Sequence, residues 1–401
     1  MHNIIFFSIL TVLLYTPIGL LVNKDQLNQK LTYESLSKYL LYSLILLSII
    51  SLSVNFFYPL NKPVNTVILS IPFLVFFFNK KYFIKKEYFI FAIFVSILTF
   101  LLITKSNTYR PDAGLYHLPY ISIINNEKII FGLSNLHFRF GHVSILQYTS
   151  AIFNNYITGV NGIILAPALI FSHLLLFFLL SEMLKNDFKH NYNEIKNFFI
   201  LSIFVILNKI SLIMVIFLPF LFITKKNLKK IFLSRKAILG TFFILIWVIK
   251  NIIVSGCAAY PIKSTCVKNI SWIDNTKIEI ISNETEAWAK SWPNYKKEIS
   301  YNDYNKDFNW LKTWLNNNGF KTFKIIFPYI IILIFLTFLL IKKRKKIDKF
   351  PNHNFKLIQK ILLILFIGFL LWFLKAPDYR YGTGYIVGFI SLIFSFIIFK
   401  N

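Results

Sequence analysis

One polar stretch of this chain carries several side chains capable of acid–base chemistry. It runs from Tyr109 to Pro119 with the sequence YRPDAGLYHLP, which contains a carboxylate, a guanidinium, an imidazole and two phenols. In a helix that begins near Asp112, Tyr116 falls one turn later on the same face, beside His117. A carboxylate that substrate can reach is able to take a proton from an acceptor hydroxyl. We therefore take Asp112 as the candidate catalytic base.

A second polar stretch follows, with the sequence GLSNLHFRFGH over Gly132–His142. It adds two imidazoles and a guanidinium. The candidate substrate-binding side chains around Asp112 are Tyr116, His117, Arg110, His137, Arg139 and His142. The structural alternative for Asp112 is a helix N-cap, because a carboxylate near a helix N-terminus stabilises it. Both interpretations stay open at the level of sequence.

Apolar runs surround these stretches and must position them. The chain has 401 residues, of which 56% are hydrophobic, and its mean hydropathy is +0.59. Such values are typical of multi-pass membrane proteins. The formal net charge of +27 comes largely from lysines in short loops between apolar runs. That is the positive-inside pattern, so we expect no nucleic-acid partner.

Windows of about twenty apolar residues predict an all-α protein with about 10–12 transmembrane helices. The windows cover 4–22, 40–59, 64–78, 88–104, 157–180, 198–223, 237–254, 325–341, 357–374 and 385–399. Topological alternation fails if 198–223 is a single span. Asn208 and Lys209 stand in the middle of that run, which favours two half-spans or a re-entrant pair, with protein or water covering the irregular backbone. The alternative is a short additional span at 144–153.

Three basic clusters orient the chain, because short loops rich in lysine and arginine lie in the cytoplasm. They are Lys80, Lys81, Lys85, Lys86; Lys225, Lys226, Lys229, Lys230, Arg235, Lys236; and Lys342, Lys343, Arg344, Lys345, Lys346. The predicted division is N-terminal spans 1–104, an outer loop 105–156, central spans 157–254, a second outer loop 255–321 and C-terminal spans 322–401. Both outer loops are expected to be helical and extracytoplasmic.

The second outer loop holds both cysteines and five of the seven tryptophans. Cys257 and Cys266, nine positions apart in an oxidising compartment, predict a disulfide, with two free thiols as the alternative. The tryptophans are Trp272, Trp288, Trp292, Trp310 and Trp314. We expect most of them to anchor interfacial helices, although one could stack on a sugar. The helices are predicted to start at Asn283 and to cover 307–317, with Gly319 as a stop.

Several motifs resemble a family of poorly characterised bacterial polytopic membrane proteins. They are DAGLYH from Asp112, GLSNLHFR from Gly132 and WVIKN from Trp247, which leads to SGC, YP and TC around the two cysteines. That family is similar to the GT-C glycosyltransferases, which carry a catalytic Asp on an outer loop, commonly as Asp-Glu-x-x-Tyr. Asp112 and Tyr116 match this spacing. Ala113 replaces the Glu, and the motif follows about four spans instead of one.

The resemblance implies transfer of a sugar from a polyprenyl-phosphate carrier to a cell-surface glycan or lipid acceptor. The expected place is the outer face of the bacterial cytoplasmic membrane. Basic side chains would bind the donor's phosphate; the candidates are Arg110, Arg139, Lys250 and Arg380. For Lys250 and Arg380 the alternative is snorkelling to the lipid headgroups. No cofactor is expected. His117, His137 and His142 with Asp112 lack the spacing of a metal-binding helix, so we expect no metal, while a divalent ion stays open.

Two rival functions come from other classes. An O-antigen or other polysaccharide polymerase or ligase would depend on paired Arg and His side chains instead of Asp112. A non-enzymatic lipid or polysaccharide transporter would need ionisable groups at mid-membrane and an internal repeat. The sequence shows neither clearly apart from Asn208-Lys209, so an enzyme is the preferred hypothesis.

Overall fold

A computed structural model describes residues 2–22, 33–83, 85–105, 112–170, 192–224, 228–268, 270–293, 299–343 and 352–400. These described residues are predominantly helical. The principal helices are α1 (His2–Tyr15), α2 (Tyr33–Val54), α3 (Lys62–Phe83), α4 (Lys86–Lys105), α5 (Leu118–Asn126), α6 (Ile145–Ile152), α7 (Tyr192–Asn208), α8 (Arg235–Ser255), α9 (Asn275–Ala289), α10 (Phe320–Lys343), α11 (Asn352–Lys375) and α12 (Tyr379–Lys400).

Eight helices in the described part of the chain are long and apolar enough to cross a membrane. They lie at Ile5–Val22, Ser35–Val54, Lys62–Lys80, Lys86–Thr104, Arg235–Ser255, Leu311–Leu339, Phe355–Lys375 and Tyr379–Ile397. Shorter apolar helices occupy Gly159–Ile170, Ile195–Asn208 and Ile210–Phe220. The chain is therefore a multi-pass helical membrane protein. The predicted span at 157–180 falls partly outside the described residues.

The chain divides into two compact units. The first comprises Met1–Asn191, Ile238–Tyr260 and Asn269–Ile273, and the second comprises Tyr192–Ala237, Pro261–Lys268 and Asp274–Asn401. In the first unit, small side chains let helices approach closely. A Cβ atom on Gly19 would lie 1.9 Å from the backbone oxygen of Tyr39, and the Gly19 amide donates to Ser43 Oγ at 2.8 Å. Ser48 of α2 shares a hydrogen bond of 2.6 Å with Thr149 of α6.

Buried asparagines close the loops of the first unit. The side-chain amide of Asn65 donates to the carbonyls of Leu60 at 2.6 Å and Asn154 at 2.7 Å. The amide of Asn125 donates to the same Leu60 carbonyl at 2.6 Å. Because helix and loop ends leave carbonyls without helical partners, these amides satisfy groups that would be costly to bury alone. They fix the loop before α3, which contains Leu60, and the loop after α6, which contains Asn154.

The second unit has an aromatic core. Its buried members are Ala287, Tyr304, Trp310, Trp314, Leu365, Trp372 and Tyr385. Trp310 and Trp314 are only 2% and 7% exposed, so the expectation that most of the outer-loop tryptophans anchor at the membrane interface is wrong for these two. Their rings pack against each other, with centroids 6.1 Å apart, and both contact Phe373, at 5.4 Å and 5.2 Å. Trp288, in contrast, is 46% exposed.

The apolar run at 198–223 is interrupted where the sequence predicts. α7 ends at Asn208, Lys209 has extended backbone angles (φ −151°, ψ 95°), and a 3₁₀ helix follows over Ile210–Ile216. The alternative of a short span at 144–153 fails on length. The eight residues of α6 rise about 12 Å, against a hydrocarbon core of about 30 Å.

Two predicted helix boundaries are wrong. α9 starts at Asn275, eight residues before the predicted start at Asn283, because the Asp274 carboxylate accepts from the backbone N–H groups of Thr276 and Lys277 and caps it. Gly319 is not a stop. The last five residues before α10, Leu315–Gly319, form a π-turn that continues directly into it.

Candidate functional site

Asp112 begins the described helical segment that carries the first polar motif. Its backbone is already helical (φ −55°, ψ −32°), and its side chain makes no capping hydrogen bond. The N-cap alternative for Asp112 therefore does not fit. A π-turn, Ala113–His117, follows and leads into α5, with the Leu118 N–H donating to the Ala113 carbonyl. Single π-turns within α-helices are rare, and those that occur are often found at functional sites.

Tyr116 joins this segment to the second polar motif. The Arg139 guanidinium carbon lies 5.6 Å from the centroid of the Tyr116 ring and 4.8 Å from that of Phe138, distances typical of cation–π contacts. The rings of Tyr116 and His117 have centroids 4.3 Å apart. His117 Nδ1 is 3.5 Å from the side-chain nitrogen of Gln147. The fold thus brings together two sequence motifs that are about twenty residues apart.

A short 3₁₀ helix, Phe138–Gly141, holds Arg139 in place. The imidazole of His137 precedes it, and its Nδ1 accepts from the Arg139 backbone N–H at 3.2 Å. The segment is anchored upstream, because the Gly132 N–H donates to the Ile253 carbonyl at 3.0 Å near the end of α8. Gly132 has a φ of +64°, a conformation that favours glycine. His137 therefore has a positioning contact with the backbone that carries Arg139.

His142 and Tyr260 meet beside this helix, edge to face, with ring centroids 5.3 Å apart. Burial and the positive charge of Arg139 lower the pKa of His142 to about 4. Burial raises the pKa of Tyr260 to about 12, although Arg139 acts in the opposite direction. Both side chains are consequently uncharged at neutral pH. Tyr260 was not among the predicted site residues; its only signal in the sequence was its place in the Tyr260-Pro261 motif between the cysteines.

Arg139 has no carboxylate partner among the described residues. Its side chain contacts the rings of Tyr116 and Phe138 and interacts electrostatically with His142 and Tyr260. A cation that is partly buried without a counter-ion costs free energy unless something else compensates it. Arg139 is therefore the basic side chain of this region that is available to an anion.

Lys250 occupies a different environment. Its side chain is only 1% exposed, and its Nζ donates to Asn55 Oδ1 at 2.8 Å. The same nitrogen lies 4.7 Å from the centroid of the Phe56 ring and 5.2 Å from that of Tyr148. Lys250 does not snorkel to a surface, so that alternative is wrong. Its amine is held by an amide oxygen and two aromatic rings inside the first unit.

Arg380 belongs to the second unit and is paired. Its Nε and one terminal nitrogen each lie 3.2 Å from a carboxylate oxygen of Asp378. Its backbone carbonyl accepts a hydrogen bond from Lys209 Nζ. The snorkelling alternative is not needed to account for its position, because this bidentate pair occupies the guanidinium fork.

The other residues singled out in the sequence are Arg110, the two cysteines and the groups considered as metal ligands. Arg110 lies outside the described residues. Cys257 and Cys266 are both disulfide-bonded. In the part of the chain that the structure describes, no group of three or more His, Cys, Asp or Glu side chains is placed to hold a metal ion.

Comparison with known proteins places the chain in a family. Residues 1–173 and 166–387 match the model of the family described as a domain of unknown function, DUF8201. No curated protein matches the chain, and no solved structure matches it. The chain belongs to the DUF8201 family.

Proposed function

We propose that this DUF8201 protein is a membrane glycosyltransferase. It would move a sugar from a polyprenyl-phosphate carrier to a cell-surface glycan or lipid acceptor. One observation carries the proposal. The guanidinium of Arg139 lies over the ring of Tyr116, one helical turn from Asp112, and has no carboxylate partner among the described residues. The helical segment that begins at the proton acceptor Asp112 thus contacts, through Tyr116, a cation suited to a departing anion.

The transfer step follows from these two groups. An acceptor hydroxyl attacks the anomeric carbon of the sugar and loses its proton to the Asp112 carboxylate. The bond between that carbon and the phosphate oxygen breaks, and its electron pair leaves with the carrier phosphate. The charge that develops on this phosphate is stabilised by Arg139. Tyr116 and His117 line the same helical segment and are the candidate contacts for the sugar and acceptor.

The membrane architecture suits a lipid-linked donor. A polyprenyl chain lies in the hydrocarbon core and its phosphate lies at the interface, so the enzyme needs apolar spans beside a polar site. The described chain offers eight helices able to span. The basic clusters support an orientation in which 105–156 faces outward from the bacterial cytoplasmic membrane.

Two other functions remain as alternatives. A polysaccharide polymerase or ligase would use Arg139 and the histidines and would not need Asp112. A lipid or polysaccharide transporter is favoured by two observations, the burial of Lys250 within α8 and the break at Lys209 between two short apolar helices. Ionisable groups and interrupted helices at membrane depth are features of transport sites.

The test is a transfer assay with purified protein in liposomes, a radiolabelled polyprenyl-phosphate sugar and a glycan acceptor. Asp112→Asn keeps the shape of the side chain and removes the base, so we expect transfer to fall by about 10²- to 10⁴-fold. Glu279→Gln is the matched control, because Glu279 is an exposed carboxylate paired with Lys263. Transfer that survives Asp112→Asn would move the chemistry to Arg139 and the histidines. No wild-type transfer from several donors would favour the transporter.

A further inference from the structure

Two buried polar atoms near Arg139 lack hydrogen-bond partners. They are Nε2 of His142 and the hydroxyl of Tyr260, and neither has a partner among the described residues. Tyr260 is 4% exposed. Buried polar groups without partners are rare in folded proteins, and each costs free energy. Two such atoms on adjacent rings indicate a place where a polar ligand would recover that cost.

The position of Tyr260 depends on the helix that carries Arg139. A Cβ atom on Gly141 would lie 2.6 Å from the Tyr260 ring, so the ring rests directly on the Gly141 backbone. Arg139 precedes Gly141 by two residues, and His142 follows it. The His142 N–H donates to the Arg139 carbonyl at 3.3 Å. The short 3₁₀ helix and its C-cap therefore carry both the Arg139 guanidinium and the His142 imidazole. The Tyr260 ring packs on the same segment at Gly141.

The chemistry of these three groups selects an anion. At neutral pH the phenol donates a hydrogen bond, the neutral imidazole donates from its protonated nitrogen, and the guanidinium carries a positive charge with several donors. Arg139 acts electrostatically on both other groups, and no carboxylate pairs with it among the described residues. A phosphate group, with its charged oxygens, suits a cation next to two neighbouring hydrogen-bonding rings.

We propose that Arg139, His142 and Tyr260 form a binding site for a phosphate group. This site would bind the donor substrate of the proposed glycosyltransferase. It rests on the proposed function only for the identity of the natural ligand, which would be the phosphate of the lipid carrier. Free phosphate has the same chemistry, so the two sources are separated by experiment. Tyr260 is the residue that this proposal adds to the site.

Equilibrium binding tests the proposal without any transfer reaction. The probes are inorganic phosphate and a short isoprenyl phosphate, titrated into the full-length protein in a phosphate-free detergent, with chloride as the control for charge alone. Tyr260→Phe removes one donor to an anion, so we expect binding of the preferred probe to weaken about tenfold or more. His142→Gln is the second variant and should weaken binding similarly. Preference for isoprenyl phosphate would identify the lipid as the source, and equal binding would identify phosphate itself.

Tyr304→Phe is the matched control. Tyr304 is also a buried tyrosine, but its hydroxyl donates to the Lys290 carbonyl at 2.9 Å. Tyr304→Phe should lower the unfolding temperature and leave phosphate binding unchanged. Tyr260→Phe should weaken phosphate binding without lowering the unfolding temperature measured in the absence of phosphate, because it removes a hydroxyl that has no partner.

The outcomes separate this proposal from the proposed function. Wild-type affinity for phosphate in both Tyr260→Phe and His142→Gln would overturn the site, as would the absence of binding of either probe to the wild type. Phosphate binding that depends on Tyr260 and His142 would establish the site even if no sugar were transferred. Sugar transfer that depends on Asp112 would survive as a finding if the phosphate site failed.

Discussion

Arg139 of the first unit and Arg380 of the second stand in similar sequence surroundings and have different partners. Each lies in a short polar segment and has its guanidinium near a tyrosine ring, Tyr116 for Arg139 and Tyr381 for Arg380. The guanidinium of Arg380 forms two hydrogen bonds with the carboxylate of Asp378, whereas Arg139 has no carboxylate partner among the described residues. A segment with paired charges stabilises the fold. Around Arg139, by contrast, a cation without a carboxylate partner and the unpartnered polar atoms of His142 and Tyr260 can gain favourable interactions when a ligand binds.

The aromatic residues show the same contrast. Trp310 and Trp314 of the second unit fill a core, and the indole of Trp372 donates to the Asp378 carbonyl at 2.7 Å. In the first unit, Tyr260 and His142 are also buried, yet each has a polar atom without a partner in the described chain. Burial alone therefore does not separate a core from a site. What distinguishes His142 and Tyr260 is that their unpartnered polar atoms lie beside Arg139, which has no carboxylate partner among the described residues.

The largest effect is expected in the aromatic core. Trp310→Ala should lower the free energy of unfolding by about 3–5 kcal/mol, because it removes a large buried side chain and leaves a cavity. Trp288→Ala is the matched control at 46% exposure and should change that free energy by no more than about 1 kcal/mol. Thermal unfolding in detergent measures both. Equal effects from the two variants would contradict the assignment of Trp310 to a core.

A second prediction uses pH to probe the site. The pKa of His142 is about 4 in the folded protein against 6.5 for an ordinary histidine. The unfolded chain therefore binds more protons between these values, and stability must fall as pH falls from 6.5 to 4. The loss reaches about 3 kcal/mol. Unfolding free energies should show this slope in the wild type.

The variant His142→Gln supplies the control for that slope, because its side chain does not titrate. Its stability should depend less on pH in the same window, and the difference between the two proteins reports His142 alone. Added phosphate should reduce the wild-type slope, since a bound anion favours the imidazolium. Identical pH dependence in wild type and variant would mean that His142 is not buried beside Arg139.

The sequence predicted the local features of the site for simple reasons. Tyr116 follows Asp112 by four residues, the spacing of one face of an α-helix, and the structure places both residues in one helical segment, with a π-turn over Ala113–His117. A polar pair, Asn208 and Lys209, inside an apolar run marks a break, and the helix ends there. Both features depend on neighbouring residues only. The class of multi-pass helical membrane protein follows from composition and apolar runs in the same way.

The remaining features required tertiary structure. Tyr260 is more than a hundred residues from Arg139, and no spacing rule connects it to His142. The start of α9 was misplaced because Asn283-Glu284-Thr285-Glu286 has the composition of a helix start, while Asp274 caps the helix earlier. The pairing of Arg380 with Asp378 was readable in principle from their separation of two residues. The lack of a carboxylate partner for Arg139 among the described residues was not readable from the sequence. Any carboxylate of the chain could have formed an ion pair with it.

The most direct test of the account compares the two arginines in one binding measurement. Arg139→Gln and Arg380→Gln are titrated with isoprenyl phosphate in detergent beside the wild type. We expect Arg139→Gln to weaken binding about tenfold to a hundredfold, the range for hydrogen bonds to a charged group. Arg380→Gln should change it by less than about threefold, because the guanidinium of Arg380 is half exposed and already paired with Asp378. Equal losses, or a larger loss in Arg380→Gln, would contradict the placement of the ligand site at Arg139.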